Sequence, residues 1–107
     1  MTESEFENLA GVALAALESA FEAAAPDADV QAKGGGLLEV EFEDGSKMII
    51  NRHVAAREIW VAAKSGGFHF RHDGRAWRDT RDGTELFAAV SRLASQQNGA
   101  PLELSAP

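Results

Sequence analysis

The sequence predicts an α+β two-layer sandwich, with two terminal helices packed on one face of a five- to six-stranded antiparallel sheet whose other face stays open. Three observations lead there. An Ala- and Leu-rich segment with helical spacing opens the 107-residue chain, a second apolar-periodic segment lies near its end, and between them the hydrophobic period drops to two. Gly-containing turns cut that middle region into short runs. With 45% apolar and 25% charged residues, the composition is that of one globular domain, taken as residues 1–107.

The first helix is placed at residues 3–24. Thr2 or Ser4 can cap it, Glu5 or Glu7 can complete a capping box, and Pro26 with Asp27 to Asp29 stops it. At about 100° per residue, Phe6, Leu9, Ala13, Leu17, Ala20 and Ala24 form the stripe expected to be buried.

Strands fall within 29–79, divided at Gly34-Gly35-Gly36, Asp44-Gly45, Ser65-Gly66-Gly67 and Asp73-Gly74. At Asp44-Gly45, a three-residue loop with Gly45 left-handed sets Val40 opposite Met48, Leu38 opposite Ile50 and Glu41 opposite Lys47. A two-residue loop would instead pair Glu41 with Met48, so the first register is preferred. Parity then turns Ile59, Val61, Ala63, Phe68 and Phe70 inward. Glu58, Trp60, Ala62, His69 and Arg71 turn outward, with Trp60 pointing at solvent.

The second helix is placed at 84–97, opened by Asp82-Gly83-Thr84-Glu85 and ended by Gly99-Ala100-Pro101. Leu86, Phe87, Val90, Leu93 and Ala94 form its apolar stripe. In the tail, 98–107, Leu102 and Leu104 are placed to pack into the groove between the helices.

Composition excludes several functions. Without Cys there is no disulfide, thiolate metal site or cysteine nucleophile. A formal charge of −7 argues against non-specific nucleic-acid binding, which needs Lys and Arg to displace counterions. No apolar run approaches the roughly 18 residues of a membrane span, and Glu3, Glu5 and Glu7 stand where a secretory leader would be basic. A soluble, cytoplasmic protein without membrane contact is expected. Charge is also uneven: residues 1–50 hold eleven acids against Lys33 and Lys47, whereas 51–107 hold eight bases against six acids. Such polarity suits cations or a basic partner.

On the first helix, Glu3, Glu7, Glu18 and Glu22 fall in a stripe about 100° wide beside the buried one, and Asp27 and Asp29 follow. Six carboxylates can thus line one ridge. Oxygen ligands favour iron, magnesium, calcium or manganese over zinc or copper, and exposed acids spread along a ridge bind loosely. The plainer reading is a solvated face that keeps the protein soluble. His53, His69 and His72 assemble no recognisable triad. Gly34-Gly35-Gly36 precedes a strand and not a helix, so it reads as a connector and not a phosphate cradle. Arg71, Arg75, Arg78 and Arg81 read as solvated strand ends or as a docking patch.

The chain resembles the bacterial frataxin (CyaY) family over roughly residues 4–97. The resemblance is carried by Ser4-Glu5-Phe6, Phe42-Glu43-Asp44-Gly45-Ser46-Lys47, Ile49-Ile50-Asn51-Arg52 and, above all, Ile59-Trp60-Val61-Ala62-Ala63-Lys64-Ser65-Gly66-Gly67-Phe68-His69-Phe70. Trp77 and the acid-Gly step before the last helix also fit. It implies an iron-binding protein of iron–sulfur cluster assembly, acting with a cysteine desulfurase and its scaffold as an iron donor, a regulator or both; a non-enzymatic protein, monomeric when metal-free, is expected. It maps iron sites onto Glu3, Glu7, Glu18, Glu22, Asp27 and Asp29, and the partner-facing sheet surface onto Asn51, Arg52 and Trp60. Ser19, Ala23, Ala25 and Gln31 stand where relatives carry further acids, and His53, Ala55 and Glu58 depart from a Gln, Pro, Gln pattern. A ferroxidase or iron-storage activity on the ridge, or an interaction module that uses its acids only for steering, are the rival readings.

Overall fold

The computed structural model describes residues 1–106. Helix α1 runs from Glu3 to Ala24, six strands follow, and helix α2 spans Leu86–Asn98. The strands are β1 (Asp29–Lys33), β2 (Leu37–Glu41), β3 (Lys47–His53), β4 (Glu58–Ala63), β5 (Gly66–His72) and β6 (Trp77–Asp79). They form one antiparallel sheet in the order β1-β2-β3-β4-β5-β6.

Thr2 caps α1 through the expected box: its Oγ1 accepts from the Glu5 amide at 3.1 Å, and Glu5 Oε1 accepts from the Thr2 amide at 3.1 Å. The buried stripe is Phe6, Ala10, Ala13, Leu17 and Phe21. That is a correction of about 40° in phase, which leaves Leu9 at the surface. The reason is aromatic bulk. Rotation seats Phe21 edge-on against Phe42 with ring centroids 6.5 Å apart, and Phe6 against Trp77 at 5.9 Å, burying more area than Leu9 and two alanines would.

The β2–β3 hairpin adopts the expected register, with Val40 opposite Met48, Leu38 opposite Ile50, Glu41 opposite Lys47, and Gly45 at φ 85°. Leu38, Val40, Met48, Ile50, Ile59, Val61 and Phe70 are buried under both helices, forming one core. Helix α2 starts two residues later than expected. Glu85 is its cap, accepting from the amides of Phe87 at 2.8 Å and Ala88 at 3.1 Å, while Asp82 closes the preceding turn through the Thr84 amide. Gly99 ends the helix at φ 74°.

Two devices pin α2 to the rest. Gln97 is buried, its Nε2 donating to Ser46 Oγ and the Lys47 carbonyl and its Oε1 accepting from the Lys64 amide, so one side chain joins the ends of β3 and β4 to the helix. The tail lies along α2, with the Leu102 and Leu104 amides donating to Ser95 Oγ and Ser91 Oγ, each at 2.9 Å. Leu104 is buried in the core.

Candidate functional site

The acidic residues of α1 occupy two separate stretches. At 1.5 Å rise per residue, Glu7 and Glu18 lie about 16 Å apart along the axis, so Glu3 and Glu7 cannot share an ion with Glu18 and Glu22. Glu3 also has a local reason to be where it is, since acids stabilise a helix N-terminus. Glu22 has none. It lies in the last turn, where no basic residue offsets the partial negative charge of the helix end.

Asp27 and Asp29 are exposed just beyond that end, and Glu22 and Asp29 line one shallow depression of about 360 Å³ with Pro26 and Ala28. Across the sheet, Asp29 pairs in register with Glu41, placing two acids directly opposite each other. Sequence reading did not single out Glu41. Only the β1–β2 register reveals it, and that register depends on a turn through Gly35 at φ 84° and Gly36 at φ 77°. Among the described residues, no Lys, Arg or His stands within ion-pair distance of Glu3, Glu7, Glu18, Glu22, Asp27, Asp29 or Glu41. The acids that are ion-paired, Glu39, Glu58, Asp73 and Asp79, all lie elsewhere. No group of three potential metal ligands converges among the described residues, so any cation here is shared by pairs of carboxylates.

The open face of the sheet is organised around Trp60. It points outward as expected but is not left to solvent: its indole is stacked between His53 at 3.8 Å and His69 at 4.5 Å, nearly parallel to both. Glu58, on the same face, is 7% exposed. Its carboxylate accepts from Trp60 Nε1 at 2.9 Å and Arg71 Nε at 2.9 Å, and lies 3.7 Å from His69 Nδ1. Burial opposes its ionisation, but the hydrogen bonds from Trp60 and Arg71 and the guanidinium charge outweigh that, holding the carboxyl below its usual range. Asn51 is the register partner of Trp60 and completes the row.

Arg52 is a correction. It pairs with Ile59, shares the parity of Met48 and Ile50, and lines a cleft with Gly11, Leu14 and Glu18 of α1. It therefore belongs to the helix-covered side and not to the open face. The arginine run is largely fastened to its own hairpins: Arg78 binds Asp73, and Arg81 donates to the Gly67 carbonyl and lies 5.1 Å over Phe68. Asp73 is held well below the usual carboxylate range by the amides of Ala76 and Arg75 and by Arg78. His53 Nδ1 and His72 Nδ1 accept from the Ala56 and Gly74 amides, which are turn contacts and not catalytic ones.

The family model of the frataxin-like domain matches residues 1–100. The chain belongs to the frataxin-like family. Its curated relatives include the iron–sulfur cluster assembly protein CyaY of Dechloromonas aromatica, 56% identical over 104 residues, covering 97% of this chain and 99% of that one. The CyaY of Cupriavidus metallidurans is 56% identical over 107 residues, covering 97% and 96%. Among solved structures, the frataxin of Psychromonas ingrahamii superimposes with a TM-score of 0.88 at 30% identity, covering 98% of this chain and 99% of that one. Two helices on one side of a six-stranded antiparallel sheet is thus the frataxin fold. Among the described residues no helix is long and apolar enough to cross a membrane.

Proposed function

We propose that this frataxin-like protein works in iron–sulfur cluster assembly without being an enzyme. In this reading it carries iron loosely at the acidic edge and regulates a cysteine desulfurase and its scaffold. The observation that carries the reading is the concentration of unpaired acids where the C-terminus of α1 meets β1: Glu22, Asp27 and Asp29, with Glu41 opposite Asp29 and Glu18 one turn back along the helix. These groups repel one another and the helix end, a cost that a bound cation relieves. Glu3 and Glu7 would form a second, weaker station.

Iron held by a few exchangeable carboxylates leaves readily when thiolate ligands arrive, which suits a cargo. The same acids would meet a basic surface of the desulfurase, and the open face around Asn51 and Trp60 would meet the scaffold. Arg52, on the other side of the sheet, is left out of that contact.

Anaerobic titration with Fe(II), or Mn(II) as a paramagnetic probe, followed by amide NMR, tests the metal reading. Glu18, Glu22, Asp29 and Glu41 should broaden first; uniform weak broadening over the whole surface would refute it. Oxygen uptake above the buffer rate would point instead to a ferroxidase. Replacing Glu18 and Glu22 by Lys should weaken desulfurase binding, and Trp60→Ala should weaken the scaffold contact with the fold intact. Unchanged affinities in both would remove the docking scheme.

A further inference from the structure

We propose that the cleft between α1 and the β1–β2 turn binds a small organic carboxylate, with Arg52 as its anchor. Arg52 runs back from β3 across Gly36, and its amide donates to the Gly36 carbonyl at 3.0 Å. A Cβ on Gly36 would lie 2.5 Å from Arg52 Nε and 2.6 Å from its Cδ and Cγ. The absence of a side chain at this position is therefore what admits the arginine stem to the cleft.

Once there, Arg52 Nε is buried and meets no acceptor. A buried charged donor left without a partner is costly, and such groups in native proteins call for an explanation. Among the described residues no carboxylate lies within ion-pair distance of this guanidinium. The cleft encloses about 240 Å³ between Leu14, Ala15, Leu37 and Leu38, and Glu18 and Lys33 also line it. Apolar walls around a few charged side chains are the anatomy of a small-molecule site, and the volume suits a ligand of only a few heavy atoms.

Three features select a carboxylate. The planar guanidinium matches a carboxylate in a two-point fork. Glu18 repels a doubly charged phosphate more than a singly charged head group. The leucine walls favour a ligand with a short carbon body. Because the chain carries a formal charge of −7, any anion approaches against an unfavourable field, and a Kd on the order of millimolar is expected. Glu18 is common to this cleft and to the acidic edge, so the carboxylate reading is tested with metal absent.

The test is a metal-free NMR titration of the full, ¹⁵N-labelled chain with propionate and butyrate. Inorganic phosphate serves as the comparison and sodium chloride as the ionic-strength control. The Arg52 Nε–H signal and the amides of Gly36 and Leu37 should shift saturably with the organic acids and at least tenfold more weakly with phosphate. Both responses should vanish in Arg52→Gln, and in Ala15→Phe, which fills the cleft from an exposed helix position and leaves the guanidinium in place. Should Arg52→Gln fail to fold, Ala15→Phe decides alone. Non-saturating shifts, shifts that survive Ala15→Phe, or phosphate binding as tight as butyrate would overturn the assignment.

Discussion

Glu22 sits in the last turn of α1, close to carbonyls that already carry partial negative charge, and its nearest charged companions are other acids. Such a residue weakens the fold it belongs to, a cost that the proposed cation binding would offset. Glu22→Gln is therefore expected to raise stability by about 0.3–1 kcal/mol while lowering divalent-cation affinity, measurable by urea unfolding with and without Mn(II). Glu58 behaves in the opposite way. Its carboxyl is held below the ordinary range, so it contributes stability at neutral pH that is lost as pH falls through its folded-state value. Glu58→Gln should flatten the acid limb of the stability curve below the ordinary glutamate range, read by unfolding at a series of pH values. Neither Glu58's burial nor the imidazole stack on Trp60 was legible in the sequence beyond parity, because burial on an open face arises from side chains that three adjacent strands, β3, β4 and β5, bring together. Arg52 was misassigned for a simpler reason: adjacency to Asn51 in the chain places it on the opposite side of a pleated strand.

Elements were more legible than contacts. The β2–β3 register followed from hydrophobic pairing alone, since a one-residue slip would turn every buried side chain outward. The phase of α1 did not, because alanines on both flanks make several rotations nearly equivalent until the aromatic rings find their partners. The start of α2 was masked by two acids able to cap, and the structure uses Glu85 for the helix and Asp82 for the turn. Gln97 was expected only as a terminus, yet it fastens α2 to two strands. Gln97→Ala should cost about 1–3 kcal/mol, since it strands the Lys64 amide and two acceptors at once, and calorimetry would measure it. Deleting residues 100–107 removes buried Leu104 and frees Ser91 and Ser95, so the melting temperature should fall by several degrees; an unchanged value would show that the tail is not part of the core.

Across the whole molecule, the unpaired acids Glu22, Asp27, Asp29 and Glu41 of the acidic half gather at one corner, while Arg71, Arg78 and Arg81 of the basic half are held in internal pairs. That polarity was visible in a residue count, but the opposition of Asp29 and Glu41 was not, because it needs the register across the glycine turn. Millimolar Mg(II) or Mn(II) should raise the melting temperature by more than sodium chloride of equal ionic strength, and the excess should shrink in Asp29→Asn. The sequential strand order leaves β1 as an outer strand with a free ladder of amides and carbonyls, and it exposes Asp29, Gln31 and Lys33. Polar and charged side chains on such a rim discourage two sheets from zipping together. Asp29, the carboxylate proposed to attract a cation at this corner, thus also serves as a spacer between copies of the protein, and a population saturated with divalent ions would give up part of its defence against stacking rim to rim.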